Sequence, residues 1–228
     1  MNTKIFALNL ETLEEYGDAS QLLDRLPSWR RKAVLRLKSP AARLQSAGAG
    51  LLLYSALEYC GFSPLYRVAL TEKQKPFFPE HPELYFNLSH SGKRALCIIG
   101  DQENGCDVET ARAYRPEIAE RFFGPSDREY LENAPEAERD AVFCRLWTLK
   151  ESFMKATGLG MSLGLSDFTA LPHESEPQRV LQNVNKNGYY TREYLLGDGY
   201  YYSACQRDRN FPTEIIWLDA HIQKRINK

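Results

Sequence analysis

No excess of either charge marks this chain: 29 lysines and arginines face 30 aspartates and glutamates, a formal net charge of −1. A protein that grips a polyanion or lies on an anionic membrane carries a broad positive surface, so nothing global here attracts nucleic acid or lipid headgroups. Any anion site must be local. Disulfide and zinc frameworks are disfavoured too, because the five cysteines (Cys60, Cys97, Cys106, Cys144, Cys205) are odd in number and never at Cys-x-x-Cys spacing. No apolar run is long enough to span a bilayer, and the richest, Ala47 to Leu57, contains Gly48 and Gly50. The short apolar run near Met1 soon meets Glu11, Glu14 and Glu15, unlike a signal peptide, and reads as a first strand. A soluble, cytoplasmic, reduced protein is expected. Gly-x-x-x-x-Gly-Lys-Ser/Thr, Gly-x-Gly-x-x-Gly and Gly-x-Ser-x-Gly are all missing. A bound nucleotide would therefore be held by side chains, and nucleophilic serine catalysis is not expected.

What is present is an alternation of helical and strand-like stretches over 228 residues, enough for one large unit or two small, closely packed ones. Leu22, Leu23, Leu26, Trp29, Ala33, Val34 and Leu37 approximate helical periodicity interrupted by Pro27, which predicts a short helix and then a basic one. Arg43 to Tyr59 predicts a more apolar helix capped by Gly61. Strands are expected at 66–70, 84–88 and 95–99. The second half repeats this order loosely. It has a strand at 105–109, helices at 115–123 and 127–131, and a long helix from about Glu136 to Thr157, stopped by Gly158 and Gly160. Strands at 167–171, 189–195, 200–206 and 214–218 close the chain, with Asn187-Gly188 and Gly197-Asp198-Gly199 as turns. Helices with mostly adjacent strands imply an α+β fold. A duplication about residue 103 fits that order, although no internal self-similarity supports it. We expect an N-terminal lobe over 1–103 and a C-terminal lobe over 104–228.

Two stretches can carry chemistry. In Gly105-Cys106-Asp107-Val108-Glu109, a strand would put Asp107 and Glu109 on one face and send Cys106 and Val108 into packing. In Trp147 through Lys155, a helix would stack Glu151 and Lys155 one turn apart, with Lys150 as a second candidate cation. Three carboxylates beside lysines suit a hard cation and the pyrophosphate it polarises. Each piece has a plainer explanation: a solvated acid pair, or an exposed ion pair worth roughly a few tenths of a kcal/mol. A further run, Phe86 to Gly92, ends a strand in polar residues and can present Ser89 and His90 to a phosphate. Arg31, Arg43 and Lys75 would make a cationic patch if folded against His90, although a solvated helix face is their default.

Taken in order, Asn87-Leu88-Ser89-His90-Ser91, Gly105 to Glu109 and Trp147 to Lys155 resemble the motifs of the Sfp-type 4′-phosphopantetheinyl transferase family, and Lys75-Pro76 is similar to part of an upstream one. The resemblance covers roughly 27–165. It departs at Cys106, where the family is usually aliphatic, and at Gln74, where a glycine usually precedes Lys-Pro. It implies a pseudo-twofold α+β arrangement of two similar α/β lobes, working as a monomer. The implied activity moves the 4′-phosphopantetheine arm of coenzyme A onto a serine hydroxyl of an acyl or peptidyl carrier protein, with Mg²⁺, releasing 3′,5′-ADP. By the resemblance, Asp107, Glu109 and Glu151 are the metal ligands, and Glu151, Lys155 and Glu109 the catalytic groups, Glu151 being the favoured base. Arg31, Arg43, Lys75, Ser89 and His90 would contact coenzyme A.

Carrier docking is expected at Tyr114, Ile118, Phe122 and Phe123, among Arg112, Arg115 and Arg121, although such spacing equally suits core packing. Asp107→Ala and Glu151→Ala are each expected to abolish transfer and spare the fold. Two other readings remain. A Mg²⁺-dependent nuclease or phosphohydrolase could use the same acids, but would want a broad basic surface. A non-catalytic coenzyme A-binding protein would need the phosphate contacts without three carboxylates.

Overall fold

In Lys4–Asn9, Ile5 and Ala7 are buried against a second sheet while Phe6 and Leu8 are buried against a helix, and this two-sided burial makes the segment an inner strand, β1. The computed structural model describes residues 1–184 and 186–227. After β1 come α1 (Ser28–Arg36), α2 (Pro40–Tyr59), the short strands β2 (Ala69–Leu70) and β3 (Pro76–Phe77), and the hairpin of β4 (Tyr85–Ser91) and β5 (Arg94–Gly100). The second half runs β6 (Asn104–Thr110), α3 (Pro116–Phe122), α4 (Pro125–Glu132), α5 (Arg139–Thr157), β7 (Phe168–Thr169), β8 (Gln178–Arg179) and β9 (Leu181–Gln182). A second hairpin, β10 (Tyr190–Tyr194) and β11 (Tyr200–Gln206), precedes β12 (Ile216–Trp217) and α6 (Asp219–Ile226).

One sheet has the order β12-β1-β5-β4 and the other β6-β11-β10-β8. Without β12 and β8, each is a first strand, a long helix and a hairpin whose second strand inserts beside the first, antiparallel throughout. The two helices, α2 and α5, are 20 and 19 residues long. The α+β class and the pseudo-twofold pair of similar lobes are thus present without internal sequence similarity. The sheets pack face to face on Ile5, Ala7, Leu96, Ile98, Cys106 and Val108. Helix α2 covers the outer face of the first sheet, and α5 that of the second. Among the described residues no helix is long and apolar enough to cross a membrane.

The expected division at 103/104 needs correction at the C-terminus. Strand β12 runs parallel to β1 in the first sheet, and Leu218, Ile222 and Ile226 enter the first lobe's core. The physical reason is that β1 would otherwise leave one edge and part of its helical layer uncovered. Helix α6 was not anticipated from sequence, since only two apolar residues, Ile222 and Ile226, mark its face. Its signals were Asp219 in the first turn and Lys224 and Arg225 in the last.

Candidate active site at the seam between the sheets

β4 and β6 are edge strands of different sheets that lie side by side without a shared backbone ladder. Alternate side chains of β4 make the joint instead. Asn87 Oδ1 accepts the Cys106 N–H at 3.0 Å, Ser89 Oγ accepts that of Val108 at 3.3 Å, and Ser91 Oγ accepts that of Thr110 at 3.3 Å. The same two hydroxyls donate to the acids that alternate with those amides: Ser89 to Asp107 Oδ1 and Ser91 to Glu109 Oε2, each at 2.7 Å. A period of two on both strands produces this register.

Helix α5 supplies the third side. A Cβ on Gly105 would collide with backbone Ser152 O and Ala156 N of α5, so only glycine lets the helix lie this close to β6. From there Lys155 Nζ reaches Asp107 Oδ1 at 2.6 Å and Ser89 Oγ at 3.0 Å. The Asp107 side chain is 4% exposed and that of Lys155 27%. Burial lifts the Asp107 carboxyl above its usual range, against the pull of Lys155. Burial works to lower Lys155, but the neighbouring Asp107 carboxylate overrides it and holds the ammonium charged. The other oxygen, Asp107 Oδ2, is buried with no hydrogen-bond partner among the described residues.

The Glu151 side chain makes no hydrogen bond or ion pair among the described residues. Burial first, then the charges of Asp107 and Glu109, raise its carboxyl, with Lys155 opposing them. It lines a pocket of about 210 Å³ together with Asn87, Lys155 and residues 73–76. A larger cleft of about 540 Å³ lies across that loop and is lined by none of Asp107, Glu109 and Glu151, whereas the smaller pocket is lined by Glu151 and Lys155. Glu109 is held by Ser91 and by Arg112 Nη2 at 2.6 Å.

The donor set suits a hard divalent cation: carboxylate oxygens, one of them orphaned and one carboxylate unpaired. As the side chains stand, Lys155 is the cation beside Asp107 and Arg112 the one beside Glu109. No group of three or more His, Cys, Asp or Glu side chains among the described residues is gathered to hold a metal ion. The orphaned Asp107 oxygen is the feature that fits one.

The remaining site residues are placed unevenly. His90 keeps an exposed edge, yet packing around the ring, then Arg30 and Lys155, push its imidazole down to about 4, so it is neutral at pH 7. Arg30, rather than Arg31, is therefore the arginine whose charge His90 feels. Its Nε donates to Ser46 O at 2.8 Å, it has no carboxylate partner among the described residues, and burial brings it down to about 10. Sequence reasoning missed it, because a run of basic residues does not say which one faces inward. The available signal was Gly50, where a Cβ would meet Arg30 Cγ at 2.7 Å.

Arg31 and Arg43 are engaged with the chain itself. Arg31 donates to Leu23 O at 2.9 Å and meets Asp24 at 3.4 Å, while Arg43 donates to Leu37 O at 2.8 Å and meets Asp18 at 3.4 Å. Lys75 departs from expectation more sharply. Its Nζ donates to Asn104 O at 3.0 Å and to Lys155 O and Ala156 O at 2.7 Å each. An ammonium has three protons, so none is left for a phosphate; burial brings this group down to about 8. Lys75 clamps the C-terminal end of α5 to the start of β6. Lys150 is not a site cation either. It is fully buried against Asp127 at 2.7 Å, and donates to Leu165 O at 2.8 Å and Phe168 O at 2.6 Å. Of the expected docking residues, Phe123 is core, 3% exposed and packed on Phe143 and Trp147. Tyr114, Ile118 and Phe122 are half-buried beside it, and Arg112, Arg115 and Arg121 are exposed.

Fold and site together define a class: a two-lobed α+β protein with its acid and lysine groups at a seam between sheets, chemistry suited to phosphoryl transfer. The family description of the 4′-phosphopantetheinyl transferase superfamily matches residues 103–205, which include β6 and α5. The 4′-phosphopantetheinyl transferase Sfp of Bacillus subtilis (strain 168) is 32% identical over 152 residues, 67% of this chain and 68% of that protein. The 4′-phosphopantetheinyl transferase psf-1 of Bacillus pumilus is 29% identical over 209 residues, 90% of each chain. AcpT of Salmonella typhimurium is 33% identical over 144 residues, 61% of this chain and 68% of that one. The chain belongs to the 4′-phosphopantetheinyl transferase superfamily.

Proposed function

We propose that the protein transfers the 4′-phosphopantetheine arm of coenzyme A to a serine hydroxyl of an acyl or peptidyl carrier protein, acting as a cytoplasmic monomer. The observation that carries this reading is the cluster of Ser89, Asp107 and Lys155 with the unpaired Glu151 in the adjoining pocket. The carrier serine Oγ forms a bond to the phosphorus that bears the arm. The bond from that phosphorus to the oxygen bridging the diphosphate breaks, and 3′,5′-ADP leaves with the electron pair. Glu151, raised and without a partner, takes the serine proton directly or through water. Lys155 faces the charge that builds on the phosphoryl oxygens, and Ser89 keeps it in register with Asp107.

Asp107, Glu109 and Glu151 would hold Mg²⁺, which when bound neutralises diphosphate charge. In the first lobe, His90 with Arg30, Arg31 and Arg43 would contact the phosphates of coenzyme A. In the second, Tyr114, Ile118 and Phe122 among exposed arginines would receive the carrier. Incubation with coenzyme A, Mg²⁺ and a panel of apo carriers tests the whole reading by mass spectrometry. A serine-linked phosphopantetheine and one equivalent of 3′,5′-ADP are expected, and failure to produce both with every carrier would refute it.

A further inference from the structure

Lys75 has no part in the reaction as proposed above, yet its ammonium sits between the two elements that carry the reacting groups. Helix α5 ends at Gly158, where φ is 68° and the N–H closes on Met154 O at 3.1 Å. The chain then turns away. The Leu159 N–H goes to Thr157 Oγ1 at 3.4 Å rather than back to Lys155 O, so the last carbonyls of the helix need donors from elsewhere. Lys75 Nζ supplies Lys155 O and Ala156 O at 2.7 Å each, and gives its third proton at 3.0 Å to the carbonyl of Asn104, the first residue of β6. The stem is fitted as closely. A Cβ on Gly158 would lie 2.9 Å from Lys75 Cδ, so the glycine that stops the helix also makes room for the lysine. The turn that presents Lys75 is tied off by its own bonds, the Lys75 N–H to Thr71 Oγ1 at 3.0 Å and the Thr71 N–H to Lys75 O at 2.9 Å. Next to it, Lys73 Nζ holds Ser162 Oγ at 2.6 Å.

We infer that Lys75 is a positioning residue for the transfer: by bonding the last turn of α5 to the first residue of β6, it sets the gap across which Lys155 and Glu151 face Asp107, an inference that rests on the coenzyme A reading above. Lys155 is held at both ends, its carbonyl by Lys75 and its Nζ by Asp107 Oδ1 at 2.6 Å. Glu151 lies one helical turn before Lys155, and Asp107 follows Asn104 on the same strand. One nitrogen therefore joins both halves of the site. It does so where the absent side chain of Gly105 already lets helix and strand backbones touch. Contact limits how near the two elements come, but it does not stop the helix from sliding along the strand. Three bonds converging on one nitrogen do. Direct contact with a phosphate is a different role, and it needs a proton that the carbonyls have already taken.

Transfer kinetics and calorimetric titration of 3′,5′-ADP with wild type, Lys75→Met and Lys75→Arg test this. Lys75→Met keeps the stem and loses every donor. Its kcat per folded molecule should fall by about 100-fold, the cost of a misplacement of about 1 Å, while its Kd for 3′,5′-ADP stays at the wild-type value. Lys75→Arg keeps the charge but spreads its donors over a planar group, so its kcat should lie between those of wild type and Lys75→Met. A Kd for 3′,5′-ADP raised about tenfold or more in Lys75→Met would make Lys75 a nucleotide contact and overturn the inference, with the coenzyme A reading intact. Wild-type kcat per folded molecule in Lys75→Met, whatever its melting temperature, would leave the lysine a structural tie alone and overturn it too. Should Lys75→Met not fold, Lys75→Arg decides by the same split: a reduced kcat with unchanged 3′,5′-ADP binding supports the inference, and wild-type kcat or weakened binding overturns it. If wild type neither transfers nor binds 3′,5′-ADP or coenzyme A, both readings fall together.

Discussion

Asp107 and Glu151 share one centre but stand in it differently. Asp107 is paired with Lys155 and Ser89, so removing its charge strands a half-buried ammonium, whereas Glu151 has no partner to lose. Glu151→Gln should therefore lower kcat/KM by about 100-fold or more while leaving the protein at least as resistant to urea as wild type at neutral pH, because burial penalises the ionised carboxyl that the change removes. Asp107→Asn should lose comparable activity and also about 3 kcal/mol of stability. The sequence expectation that both changes spare the fold is thus revised for Asp107. Because the folded-state value of Glu151 lies above its ordinary 4.5, the folded protein holds that proton to higher pH than the unfolded chain. Its contribution to stability is largest below 4.5 and is lost as pH rises through the raised value. The acid limb of kcat/KM should likewise sit above the ordinary carboxylate range and vanish in Glu151→Gln. The acids themselves were readable from strand and helix periods. The lysines were not: Lys75 and Lys150 look like ligand cations in sequence, and only the folded chain shows that carbonyls take their protons.

At the scale of elements, the helices α2 to α5 and the hairpins were readable because apolar periodicity, prolines and glycine stops agree with one another. The two-residue strands β3, β8 and β9 were not, since two residues cannot display a period. The lone helix α6 carried its apolar face on a single pair. Helix α5 needs one anchor that periodicity does not suggest: Lys150, fully buried, ties it to Asp127 of α4 and to the chain before and within β7. Lys150→Met would leave Asp127 buried and unpaired. It should cost about 3–5 kcal/mol in denaturant unfolding, with kcat/KM per folded molecule close to wild type. A large fall in kcat/KM with stability intact would return Lys150 to the reaction.

At the scale of the molecule, a duplicated frame was only hinted at by element order, because sheet order depends on contacts between residues far apart in sequence. The tail's return to the first lobe was hidden for the same reason. Residues 1–103 alone lack β12 and α6 and would expose the surface that Leu218, Ile222 and Ile226 cover, about 6 kcal/mol of burial. That fragment should show no cooperative thermal transition by circular dichroism, whereas the whole chain should melt in one. A sharp melt of the fragment would mean that the first lobe is complete without the tail.

An open strand edge invites another molecule to add a strand to it, and proteins protect such edges against self-association. Here the two equivalent edges are protected differently: β1 by the tail strand, β6 by Asn87, Ser89 and Ser91. A backbone strand laid along β6 would have covered the edge equally well, but a carbonyl oxygen that accepts from the edge has no proton to give to the acids beside it. The hydroxyls of Ser89 and Ser91 do both through one oxygen each. The side chains that cover this strand edge are thus the ones that aim its carboxylates, and a polar-to-apolar change there would uncover the edge and release the acids together.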